Sequence, residues 1–101
     1  MRKIDILTRD AFHANKEIRI SNTIIEVNSF CVKLYLHGNC IAVKYLNTGS
    51  IVCSLAGWNT PTTRSRLNAI GANIRTKKNV VYCGSNIVCD LFTSYNWFPI
   101  N

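Results

Sequence analysis

The segment that most restricts the fold is residues 31–46, CVKLYLHGNCIAVKYL, whose side chains alternate with a period of two and then turn back. Val32, Leu34 and Leu36 share one face while Lys33, Tyr35 and His37 share the other, the pattern of a half-buried strand. Gly38-Asn39 is predicted to be a two-residue hairpin turn, since both residue types tolerate positive φ, with CIAVKYL returning as the partner. That register pairs His37 with Cys40, Tyr35 with Ala42 and Lys33 with Lys44, so two lysines meet on the Tyr35 face. Like charges placed opposite each other repel, a cost that a bound anion offsets. The plainer alternative is an exposed polar face, where lysines are common.

The flanking segments extend this hairpin into a sheet. NTGS makes a second turn and IVCSLA a further strand, giving an antiparallel meander. Upstream, EIRISNTIIEV predicts a strand from about Ile18 to Val27, with an interruption allowed near Ser21-Asn22. Downstream, NVVYC, a GSN turn and IVCDLF predict a last hairpin, and the aromatic tail SYNWFPI an edge strand or cover. The beginning, MRKIDILTRDAF, is broken by Asp5, Thr8, Arg9 and Asp10, which excludes a signal peptide, and His13 follows in a segment too irregular to assign. No stretch has the length of a membrane span.

At NTPTTRSRLNAIGANI the period changes. Thr60 is a good N-cap, Pro61 suits the first helical position, and Leu67, Ile70 and Ile74 fall on one helical face. The helix is expected to end between Asn73 and Thr76, with TKKN as a basic loop. The order of elements predicts an α+β fold: an antiparallel meander sheet with one main helix packed on it and a C-terminal hairpin, in a single domain over residues 1–101.

A hydrophobic content of 48% supports a packed core. The five cysteines, Cys31, Cys40, Cys53, Cys83 and Cys89, form no C-x-x-C pair and are odd in number, so they are expected to be reduced and buried in a cytoplasmic protein. A zinc site built from them with His13 or His37 is the weaker reading; neither a metal nor a cofactor is implied. The net charge is +7, yet four of the five acids precede residue 28 and the fifth is Asp90. The acid-free span between Asn28 and Cys89 holds Lys33, Lys44, Arg64, Arg66, Arg75, Lys77 and Lys78, so its surface is expected to attract anions, with nucleic acid the commonest candidate.

The start of the helix is a candidate anion site, because its backbone N–H groups are joined by the hydroxyls of Thr60, Thr62 and Thr63 and by Arg64 or Arg66. An ordinary capped helix with solvated arginines is the plainer reading. On a helix extended through Arg75, Arg64, Asn68 and Arg75 share one flank and Arg66 the other, which suits several phosphates better than one clamp. Trp58, and Tyr95, Trp97 and Phe98 near the end, are base-stacking candidates, although core burial is the commoner fate of aromatics. His37, with Asn39 and the threonines, is a candidate for a closed pocket. As an acid–base group His37 has no carboxylate between residues 28 and 89 to orient it.

The stretches SNTII, LYLHGNCIA and LAGWNTPTTRSRLNAI resemble a group of small proteins of tailed bacteriophages, which share an L-H-G-N-x-I-A hairpin and a G-W-x-T-P-T-T-R-x-R-L-N helix start. The similarity covers about Asn22 to Ile70 and implies a phage origin, with no activity attached. The leading expectation is a non-enzymatic nucleic-acid-binding protein that contacts phosphates through the seven basic residues. The alternatives are a host-enzyme inhibitor acting by protein contact, and a binder or hydrolase of a small phosphorylated ligand at Thr60 to Arg64. One contiguous basic surface marks the first, an exposed apolar patch the second, and a pocket around Trp58, Thr62, Thr63 and His37 the third.

Overall fold

The computed structural model describes residues 2–78, 80–84, 86–89 and 97–100. In chain order these form α1 (Lys3–His13), β1 (Ile18–Ile20), β2 (Thr23–Val27), β3 (Cys31–Leu36), β4 (Asn39–Tyr45), β5 (Ile51–Cys53), α2 (Pro61–Ala69), β6 (Ile74–Lys77), β7 (Val80–Cys83), β8 (Asn86–Cys89) and β9 (Phe98–Pro99). The expected α+β architecture is present: a six-stranded antiparallel sheet in the order β1-β2-β3-β4-β5-β9 and a small sheet in the order β6-β7-β8. The predicted strand over 18–27 is a tight hairpin, with Ser21 at φ 54° where the interruption was allowed. From the aromatic tail, Phe98 and Pro99 pair with β5 as the edge strand, and Phe98 is buried. Proline is tolerated there because an edge has no outer neighbour to receive its missing N–H.

Two local expectations are corrected. The β3–β4 turn is His37-Gly38, at φ 51° and 80°, so Leu36 pairs with Asn39 and Tyr35 with Cys40. Both central residues of such a turn need positive φ to match strand twist, and histidine enters that region more readily than bulky residues do. A bulge at Leu34/Tyr35 then shifts the register again, so that Lys33 pairs with Val43 and Val32 with Lys44. The two lysines therefore lie on opposite faces, and the repulsive pair is not formed, because a one-residue slip inverts every side chain. The bulge also lets the adjacent Ile41 and Ala42 both be buried.

The second correction is the end of α2. Ile70 is its C-cap and Gly71, at φ 110°, breaks the chain out of the helix, so Ile74 to Lys77 form a strand instead of a last turn and loop. Asn68 drives this change of direction by bonding both the N–H and the carbonyl of Ile74 through its side-chain amide. Ile74 and Val81 join the same buried cluster as Ile25, Leu34, Leu55 and Leu67, which ties the small sheet to the large one.

The segment before β1, unassigned from sequence, is the helix α1. Its buried positions are Asp5, Thr8, Ala11 and Phe12, spaced for one helical face, while Ile6 and Leu7 are exposed. Two polar residues on the inward stripe conceal the helical period. Both are satisfied: Thr8 Oγ1 donates to the Ile4 carbonyl at 2.7 Å within the helix, and Asp5 accepts from Ser65 and Arg66 of α2.

Among the cysteines, Cys31 and Cys53 are buried, Cys40 and Cys83 are partly so, and all four are free thiols; the side chain of Cys89 lies outside the described residues. Burial pushes the Cys53 thiol up to about 12, an inert group. Among the described residues no His, Cys, Asp and Glu cluster could hold a metal, and no helix is long and apolar enough to cross a membrane.

Candidate functional site

Two turns of one pattern open side by side. Leu36-His37-Gly38-Asn39 and Leu55-Ala56-Gly57-Trp58 are both L-x-G-x, with central φ values of 51° and 80° in the first and 52° and 83° in the second. In the second, the Trp58 N–H donates to the Leu55 carbonyl at 2.8 Å. A left-handed alanine is uncommon, since its Cβ crowds the following carbonyl, so the second turn is held against its local preference. Between these turns and the start of α2 lies a cavity of about 460 Å³ lined by Leu36, His37, Asn39, Ile41, Leu55, Trp58, Thr60, Thr62 and Thr63. Small-molecule sites span about 300–1,000 Å³ and pair an apolar body with a few polar groups, as here. Leu36, Ile41 and Leu55 supply apolar wall, the threonines, Asn39 and His37 the polar groups, and Trp58, 59% exposed, an aromatic face at the surface.

Of the residues predicted for an anion site, Thr60, Thr62 and Thr63 line this cavity while Arg64 and Arg66 do not, and the helix start is engaged in part by its own side chains. The Thr60 hydroxyl accepts from the Thr63 N–H at 3.2 Å and lies 2.9 Å from the Thr63 hydroxyl, as the cap expectation requires. Pro61 has no N–H, and the Arg64 N–H donates to the Thr60 carbonyl. The Arg64 guanidinium folds back on Asn59, 2.5 Å from Oδ1 and 3.3 Å from the carbonyl. What the cavity offers is therefore side-chain hydroxyl, amide and imidazole groups, with no carboxylate, lysine or arginine in its lining.

The other basic residues separate into two sets. Arg66 is 3% exposed, its Nη1 lies 2.6 Å from Asp5 Oδ1, and its charge is neutralised inside the fold. Lys44, on the sheet face that carries Val32, reaches α1, donating to the carbonyls of Phe12 at 2.8 Å and His13 at 3.5 Å with its ammonium 5.2 Å from the Phe12 ring centroid. A cation suits a helix C-terminus, and burial lowers the Lys44 pKa from its ordinary value. Lys33 pairs across the strands with Glu26 on the outer face. Arg75, Lys77 and Lys78 are exposed together on β6 and its turn, with the Arg75 guanidinium 4.9 Å from the Tyr82 ring centroid. Trp97 is exposed and Phe98 buried, while Tyr95 lies outside the described residues.

Residues 5 and 22 escaped the sequence reading. Asn22 holds His37 twice: its carbonyl accepts the His37 N–H at 2.9 Å, and its Nδ2 lies 3.3 Å from His37 Nε2. Among the described residues no carboxylate pairs with His37; the nearest link to one is Asp5, outside the acid-free span, which connects to His37 only indirectly, through Arg66, Thr23 and Asn22. Asp5 is one of two acids on α1 and Arg66 one of two arginines on α2, and nothing local marks them as partners.

The model of the Kyanoviridae Gp96 protein family, a bacteriophage family, matches residues 1–97. The chain belongs to this family. The match extends well beyond the Asn22 to Ile70 motifs and takes in α1, whose Asp5 completes the buried pair with α2. Comparison with curated proteins and with solved structures found no match.

Proposed function

We propose that this phage-family protein binds a small, flat, uncharged ligand, a nucleobase or nucleoside, in the cavity between its two L-x-G-x turns. The observation that carries this reading is the uncharged lining: apolar wall, hydroxyl and amide groups, and an exposed indole at the surface. Aromatic rings favour stacking partners, and nucleobases combine a π face with a polar edge. The helix start has fewer backbone donors to offer a phosphate, since the Thr63 and Arg64 N–H groups are engaged and Pro61 has none. On this reading a ligand phosphate stays outside, in solvent.

The test uses the four ribonucleosides and their 5′-monophosphates, followed by Trp58 fluorescence in a Trp97→Phe background and by ligand-observed NMR. Saturable quenching by at least one nucleoside, with the monophosphate no tighter, supports the reading. No saturable binding, or binding that persists in Trp58→Ala, overturns it.

A second contact is favoured by the exposed β6–β7 hairpin. Arg75, Lys77 and Lys78 stand together on it, and non-enzymatic contact with nucleic-acid phosphates is the chemistry they offer.

A further inference from the structure

His37 sits at the end of a chain of hydrogen bonds whose direction is dictated from its far end. The Arg66 guanidinium can only donate. Nη1 gives a hydrogen bond to Asp5 Oδ1 at 2.6 Å, and Asp5 Oδ2 accepts from the Ser65 hydroxyl at 2.7 Å. Arg66 Nε donates to Thr23 Oγ1 at 3.0 Å, which occupies a lone pair and leaves the Thr23 proton to go elsewhere. It goes to Asn22 Oδ1, 2.9 Å away. With its oxygen so engaged, Asn22 turns its NH₂ toward His37, where Nε2 is 3.3 Å away and must accept. A neutral imidazole that accepts at Nε2 carries its proton at Nδ1.

The protein's other histidine has the opposite arrangement. His13 Nε2 lies 3.1 Å from the Ile70 carbonyl, which can only accept, so His13 carries its proton at Nε2.

We propose that Asp5, Arg66, Thr23 and Asn22 are positioning residues that hold His37 as an Nδ1–H donor at the cavity, so that the bound heterocycle presents an acceptor to it, a carbonyl oxygen or an unprotonated ring nitrogen. The ligand half of this proposal rests on the nucleoside reading above; the tautomer is a property of the free protein. The buried ion pair then has a second role beside joining the helices: it sets the polarity of a group more than 30 residues from Asp5 in sequence, at a site that contains no charge of its own.

The experiment is long-range ¹H–¹⁵N NMR of the imidazoles in the intact labelled protein, about two units above the ordinary histidine pKa of about 6.5. Expected are opposite tautomers, His37 protonated at Nδ1 and His13 at Nε2, which serves as an internal reference. Asn22→Ala, in a turn outside the strands, moves His37 to the Nε2–H form that free side chains favour, with His13 unchanged, and weakens binding of whichever nucleoside the titration identifies by roughly tenfold. Thr23→Val has the same spectroscopic effect and Thr23→Ser restores the parent tautomer; Asn22→Ala carries the test should Thr23→Val not fold. Wild-type His37 in the Nε2–H form, or a tautomer indifferent to Asn22→Ala, overturns the relay. An Nδ1–H tautomer in a protein that binds no nucleoside overturns the ligand half and the pocket reading together, leaving the relay as a feature of the fold.

Discussion

The cavity between the two turns and the β6–β7 hairpin both come from the acid-free middle of the chain, yet one has no charged lining and the other is crowded with Arg75, Lys77 and Lys78. The difference lies in what each segment packs against. Arg66 and Lys44 belong to elements covered by α1, which supplies Asp5 to the first and helix C-terminal carbonyls to the second. The hairpin stands away from that acid-bearing helix, so its cations stay on the surface. Net charge along a sequence thus overstates the charge a partner meets, because a fold neutralises cations wherever it can pair them.

The comparison is broken most forcefully at the buried pair. Asp5→Ala or Arg66→Ala leaves an uncompensated charge in a site about 3% exposed and is expected to cost about 3–5 kcal/mol, read as a large drop in denaturant midpoint. A loss below about 1 kcal/mol means that Arg66 is accessible and belongs with the surface set. Lys44→Met removes its hydrogen bonds to the end of α1 and is expected to cost roughly 1–2 kcal/mol in the same measurement, whereas Lys33→Met, on the outer face, stays within about 0.5 kcal/mol. Thr60→Ala loses the cap of α2 at about 1 kcal/mol, and coincident midpoints would show that the cap bond is immaterial.

The smallest stability effects sharpen the functional side of the contrast. Trp58→Ala, at an exposed position, is expected to leave stability within about 0.5 kcal/mol while removing nucleoside binding. Neutralising Lys77 or Lys78 is expected to lower the slope of log affinity against log salt for a nucleic-acid probe by roughly one, with no effect on nucleoside binding in the cavity. A shared loss would mean that the two regions act as one surface.

Much of the site was legible because it is made of local signals. Trp58, Thr60, Thr62, Thr63, His37 and Asn39 belong to turns and a helix start, whose residue preferences follow from backbone geometry alone. The β3–β4 register was not, since two adjacent candidates for a turn differ by one residue and the bulge that follows depends on how Ile41 and Ala42 pack. Helix α1 escaped because Asp5 and Thr8 occupy positions where a helical stripe ordinarily shows apolar residues.

By itself the sequence determined the strands of the meander from Ile18 to Cys53 and the capped start of α2, because alternation and capping act over a few neighbouring residues. Only the tertiary structure decided that Arg66 meets an acid 61 residues away, that Lys44 closes a helix instead of facing an anion, and that His37 accepts from Asn22. These outcomes depend on desolvating charged and polar groups against particular partners. The cost of burying such a group unpaired selects the partner that packing brings within reach, and no local pattern encodes which one that is.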